Sequence, residues 1–179
     1  MYKIENSQLI VVDCQEKMIP AIFESEKLLK RIELLIRAIR VLDIPILTAQ
    51  QYTKGLGDTC HILKDALGDF EFVEKVAFSC CGEPEFVKKL ESFNRKNLIV
   101  CGVEAHVCVQ QTVLDLLAGN YNVYVIADCI GSRFENDRLY AEKRMRQAGA
   151  ILTTAESVLF ELLISADHPK RKEITRLVK

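Results

Sequence analysis

Asn97-Leu98-Ile99-Val100-Cys101-Gly102-Val103 is a continuous apolar run, followed after Glu104-Ala105-His106 by an amphipathic stretch from Val107 to Leu117. The run reads as a strand buried on both faces, the pattern of a parallel sheet. The stretch after it reads as a helix ended by Gly119-Asn120 in the C-cap manner. One strand feeding one helix in this way is half of a βαβ unit, and the same alternation extends in both directions. Upstream, Leu9-Ile10-Val11-Val12-Asp13 is a strand, and Leu28, Ile32, Leu35, Ile39 and Leu42 line one helix face. Ile44 to Ala49 is a second strand with Pro45 at its start, Phe70 to Val76 a third, and Pro84 opens a helix carrying Phe86, Val87 and Leu90. Downstream come a strand over Val123 to Ala127, a helix from Asn136 or Asp137 to about Gln147, and a strand over Ala150 to Thr153. Thr154 then caps a helix through Leu163, and a short charged helix closes the chain.

This order predicts an α/β fold in three layers, α/β/α, around a Rossmann-like open parallel sheet of about six strands. The 179 residues suit one domain spanning positions 1–179. Gln50 to about Leu63 is the longest stretch without a clear period, a candidate substrate loop.

The composition narrows the partners. Lys+Arg number 24 and Asp+Glu 25, a net charge of −1, so no basic face for nucleic acid is expected. No apolar run is long enough to span a bilayer, and the first residues show neither a signal-peptide core nor a transit pattern. The seven cysteines are an odd number without a C-x-x-C pair, which excludes a complete disulfide framework and fits free thiols in a cytoplasmic protein. Cys80-Cys81 are expected to be reduced, because a vicinal disulfide is strained.

Ligands of open parallel sheets bind outside the carboxyl ends of the strands. Three residues able to do chemistry fall there: Asp13 ends the first strand, Lys75 lies near the end of the third, and Cys108 follows the fourth. A thiolate is the nucleophilic form of cysteine, and a helix start and a nearby ammonium both favour it. Asp13 has the chemistry to take the thiol proton and return it to a leaving amine. Backbone N–H groups around Glu104 to Cys108 are placed to hold an oxyanion. Singly, each residue has an ordinary structural explanation; their joint placement on one edge is what points to a site.

The flanks of these residues resemble the isochorismatase-like cysteine hydrolases. Gly102 to Thr112 resembles the family's nucleophile motif, Leu9 to Gln15 its first-strand motif, Glu74 to Ser79 its lysine motif, and Val123 to Arg133 its next strand and turn. Gln51 to Gly57 is similar to the segment after strand two in small members of the family. The resemblance implies Cys108 as nucleophile, Asp13 as base and Lys75 as activator, with a cis peptide joining Val103 to Glu104 and the Glu104 and Cys108 N–H groups as oxyanion donors. It implies hydrolysis of a C–N bond in a small amide or ureido-type substrate, and a homo-oligomer, dimer or larger. Isochorismatase proper lacks this cysteine, which disfavours vinyl-ether chemistry here. Nicotinamidases hold a metal through Asp-x-His after strand two. Ala49-Gln50-Gln51-Tyr52 stands there, and His61, His106 and His168 are widely separated, so no metal and no cofactor are expected.

Gln15, Ile19, Gln51, Tyr52, Phe78 and Ala105 adjoin these motifs as candidate pocket residues. The two glutamines suit an amide or carboxylate, or the backbone of a loop. Arg133 and Arg138 are expected in structural ion pairs. The rival reading is an inactive or redox-responsive binding module on the same fold.

Overall fold

The computed structural model describes residues 3–179. The chain runs β1 (Ser7–Val12), α1 (Ser25–Val41), β2 (Ile46–Gln51), α2 (Thr53–Leu56), α3 (His61–Leu67), β3 (Phe72–Lys75) and α4 (Pro84–Ser92). It continues with β4 (Asn97–Val103), α5 (Gln110–Ala118), β5 (Asn122–Gly131), α6 (Glu135–Gln147), β6 (Ile151–Thr153), α7 (Ala155–Leu163) and α8 (Arg171–Val178). The six strands form one parallel sheet in the order β3-β2-β1-β4-β5-β6, the three-layer fold the sequence predicts.

Alternation along the strands builds two cores. Leu9 and Val11 of β1 face α1, α3, α7 and α8, with Ile99, Cys101, Ile126 and Leu159. Ile10 and Val12 face the opposite way, toward Phe86 and Leu90 of α4, Val113 of α5 and Met145 of α6. All six β1 side chains are buried, because helices cover both faces of the sheet.

The chain winds outward from β1 to β2 and β3, then returns to place β4 on β1's other side. The order therefore reverses between β1 and β4, and open parallel sheets take their ligands at the carboxyl ends of strands at such a switch point. The strands approach closely there. Gly102 pairs with Val12 at φ +125°, and a Cβ at Gly102 would lie 2.1 Å from the Val12 carbonyl oxygen. Only glycine fits that contact.

Two elements depart from the sequence reading. The stretch Gln50–Leu63 is not irregular throughout: it contains α2 and the start of α3. β5 runs to Gly131 rather than stopping at Ala127. Its register on β4 shifts between Val100 and Gly102, and this irregularity lets Ile130 and Gly131 pair with Gly102 and Val103.

Candidate active site

Asp13 sits one residue beyond β1 with φ +51°, in a sparsely populated backbone region for a non-glycine residue. Its N–H donates to the Ala49 carbonyl and its own carbonyl accepts from Gln15 N–H. The turn thus leaves the β1 direction and buries the carboxyl completely. Lys75 ends β3, where the β2–β3 register sets it opposite Gln51. At 1% exposure it is among the largest fully buried side chains of the protein.

The two charges meet. Lys75 Nζ lies 2.7 Å from Asp13 Oδ2. It also donates to Gln51 Oε1 (2.6 Å), to the Phe78 carbonyl (3.0 Å) and to the Ala77 carbonyl (3.2 Å). Burial pulls the Lys75 pKa down, but the Asp13 carboxylate and the Cys80 and Cys108 thiols more than offset it, leaving it raised. Burial pushes the Asp13 carboxyl up while Lys75 pulls it down. The ammonium is the firmer of the two charges, because four oxygens surround it. Asp13 Oδ1, by contrast, is buried without a hydrogen-bond partner among the described residues.

Cys108 completes the group. The Val103–Glu104 bond is cis, and Ala105–Val109 forms a wide turn before α5, with Val109 N–H reaching back to the Glu104 carbonyl. That turn carries the thiol to the switch point, 3% exposed, where it interacts with both the Asp13 carboxyl and the Lys75 ammonium. The electrostatics correct one expectation. A helix start and an ammonium were expected to favour the thiolate. Instead, burial and the Asp13 carboxylate push the thiol up, to about 12, against the pull of Lys75. Desolvation disfavours the charged form more than one ammonium restores it.

The other expected residues divide. Gln15 and Gln51 both lie here, but their amides are committed. Gln15 Nε2 donates to the Gln51 and Gly57 carbonyls, and its Oε1 accepts from Gln51 N–H. Gln51 uses Oε1 for Lys75 and Nε2 for the Val76 carbonyl (2.8 Å). Ile19 is buried and packs in the core with α1. Ala105 is fully buried beside Cys108. Tyr52 and Phe78 are about half exposed, at 51% and 56%, on the segments that carry Gln51 and Lys75. Glu104 reaches outward through its side chain, where Oε2 accepts from Arg133 Nε and N–H and ties the turn after β5 to the site. His106 Nδ1 is 3.0 Å from Ser132 Oγ. Arg138 pairs with Glu142 and Glu135.

Cys80 is a neighbour to which the sequence reading gave no part in the site. It is fully buried near Asp13 and Lys75, with its N–H on Thr112 Oγ1. Its place after the lysine strand was visible in the sequence, but the 3-10 turn that tucks it inward was not. All seven cysteines are free thiols. A separate cavity of about 480 Å³ lies near the carboxyl end of β5, where Arg31 and Asp128 pair at 2.5 Å. Among the described residues no helix is long and apolar enough to cross a membrane.

Residues 7–157 match the isochorismatase domain. The mouse isochorismatase domain-containing protein 2A is 38% identical over 176 residues, 98% of this chain and 84% of the relative. The MAR1 ribonuclease of Caenorhabditis elegans superposes with a TM-score of 0.94 at 42% identity, over 99% of this chain and 91% of that one. The YcaC gene product of Escherichia coli, an octameric hydrolase of unknown specificity, gives a TM-score of 0.89 at 25% identity, over 98% and 86%.

Proposed function

The chain belongs to the isochorismatase family, a hydrolase fold, and on that premise we propose that it is a metal-independent cysteine hydrolase of small amides or ureido-type compounds. The observation that carries the reading is the buried Asp13–Lys75 ion pair facing the Cys108 thiol at the β1/β4 switch point.

In the resting site the thiol is protonated, because its pKa stands at about 12. Attack on the substrate carbonyl is therefore coupled to proton transfer. Asp13 takes the thiol proton as the sulfur–carbon bond forms. The Glu104 and Cys108 N–H groups receive the oxyanion. Asp13 then gives the proton to the departing amine as the C–N bond breaks, leaving a thioester. Water attacks the thioester, Asp13 takes a proton from it, and the acid leaves as the proton returns to the sulfur. Lys75 stays protonated throughout and stabilises both the Asp13 carboxylate and negative charge on sulfur. Tyr52 and Phe78 form the rim the substrate passes.

The test is a screen of small amides and ureido compounds with ammonia release as readout, joined to mass spectrometry of the intact chain. An acyl adduct on Cys108, absent from Cys108→Ala, is the expected result; turnover that survives Cys108→Ala refutes the mechanism.

The raised Cys108 pKa favours a second reading, a binding module with an unreactive thiol. Under it, no amide in the screen acylates the protein. RNA cleavage, suggested by the MAR1 ribonuclease relative, has less support: the net charge is −1, and the Lys75 ammonium is buried and paired with Asp13 rather than free to meet a phosphate. An RNA degradation assay with Cys108→Ala as control decides it. Self-association, as in the octameric YcaC hydrolase, is part of the proposal and is read by light scattering after gel filtration.

A further inference from the structure

The sequence left Gln15 and Gln51 open to a substrate amide or carboxylate or to the backbone of a loop, and the structure engages both amides within the protein. Of the four oxygens around Lys75 Nζ, the nearest is Gln51 Oε1, at 2.6 Å. The orientation of that amide is set at its other end, where Nε2 donates to the Val76 carbonyl. A flipped amide would aim two donors at an ammonium, so this bond fixes which face Lys75 meets. The Gln51 backbone is gripped in turn. Its N–H donates to Gln15 Oε1 at 2.7 Å and its carbonyl accepts from Gln15 Nε2 at 2.9 Å. Gln15 is fully buried and belongs to the Asp13 turn, since its own N–H donates to the Asp13 carbonyl at 2.8 Å.

These contacts close a ring: Asp13, the backbone to Gln15, Gln51, Lys75, and back to Asp13 through the ion pair. We infer that Gln51 is a positioning residue, whose amide oxygen holds the Lys75 ammonium against Asp13 and Cys108, and that Gln15 locks Gln51 in place. A neutral acceptor suits this position. It satisfies an ammonium proton without adding a second anion, so among the described residues Asp13 remains the only carboxylate in contact with Lys75 and the thiol. The ring also ties the carboxyl ends of β1, β2 and β3 together, so the base and the ammonium shift as one body.

The consequence for turnover rests on the cysteine-hydrolase reading; the geometry of the ammonium does not. The test follows the lysine ammonium groups of nitrogen-15-labelled protein by NMR, with the Lys75 signal assigned by its loss in Lys75→Arg. A caged ammonium exchanges protons slowly with water. Gln51→Leu is expected to speed that exchange by about tenfold or more, because a buried network loses a member. Gln51→Glu keeps the acceptor and is expected to keep exchange slow. Unchanged exchange in a folded Gln51→Leu protein overturns the inference. If the leucine variant fails to fold, Gln51→Met, which keeps the length and removes the acceptor, decides in its place: faster exchange supports the inference and unchanged exchange overturns it. With an amide that the wild type hydrolyses, Gln51→Leu is expected to lower kcat about tenfold with KM within about twofold. A raised KM with kcat unchanged would assign Gln51 to substrate binding and overturn the positioning role. If the wild type hydrolyses no amide, the proposed function fails, while the NMR comparison still decides the role of Gln51.

Discussion

Replacing Lys75 by methionine removes one charge of a pair in which both partners are at most 1% exposed. Methionine occupies nearly the same volume, so packing is largely kept and the electrostatic loss dominates. The substitution leaves the Asp13 carboxylate with no cation beside it, and deprives the Gln51, Ala77 and Phe78 oxygens of their donor. Breaking a buried pair from one side costs about 3–5 kcal/mol. In a chain of this size, 1 kcal/mol shifts Tm by about 2–4 °C, so Lys75→Met is expected to melt roughly 6–20 °C lower. The cost has a signature that separates it from a packing defect. Removing both charges, in Lys75→Met/Asp13→Leu, deletes the uncompensated carboxylate and is expected to recover most of the loss. The coupling between the two sites should then be at least about 2 kcal/mol, near the upper range for contacting residues. Urea unfolding followed by far-UV circular dichroism on wild type, both single variants and the double variant supplies the cycle. If the double variant loses the sum of the two single losses, the pair is not coupled and the electrostatic account of the site is wrong.

Other expectations are shorter to state. Gly102→Ala places a Cβ against the Val12 backbone at positive φ and should cost about 3–5 kcal/mol, read as loss of soluble yield or of Tm. Thr154→Ala removes the side-chain cap on Ser157 N–H at the start of α7 and should cost about 1 kcal/mol without changing Cys108 reactivity. In the free protein, alkylation of Cys108 by iodoacetamide is expected to be slower at pH 7 than that of an ordinary thiol and to keep rising beyond pH 10. A rate that levels off near pH 7 would contradict the raised pKa. That shift also has a stability sign. The folded pKa, about 12, lies above the ordinary thiol value of 9.0, so the neutral thiol's contribution is full below pH 9 and lost as pH rises through 12. Denaturation at pH 8 and pH 11 should show a smaller pH-dependent loss in Cys108→Ala than in wild type.

The parallel sheet was legible because its evidence is local. Short β-branched apolar runs such as Leu9–Val12 and Leu98–Val103 read as strands buried on both faces, and the longer amphipathic stretches between them read as crossover helices. Thr154 as a cap followed from the same local logic, and so did the sharing of one sheet edge by Asp13, Lys75 and Cys108. Short-range pattern failed where pairing across the sheet decided the outcome. The end of β5 depends on a register shift opposite Gly102, and the 3-10 turn at Cys80 depends on Thr112 of α5. Neither leaves a period in its own segment.

The amino-acid sequence alone determined the α/β layering, the strand edge on which chemistry collects and the family to which the chain belongs, since residue order and periodicity carry all three. Tertiary structure alone decided what the site residues do to one another. It spent both glutamine amides on Gln51 and Lys75, put Ile19 into the core, and raised the Cys108 pKa where proximity to a helix start had suggested the reverse. The physical reason is that burial and hydrogen-bond commitment are sums over neighbours distant in the chain, and a residue's type does not say which neighbours those are.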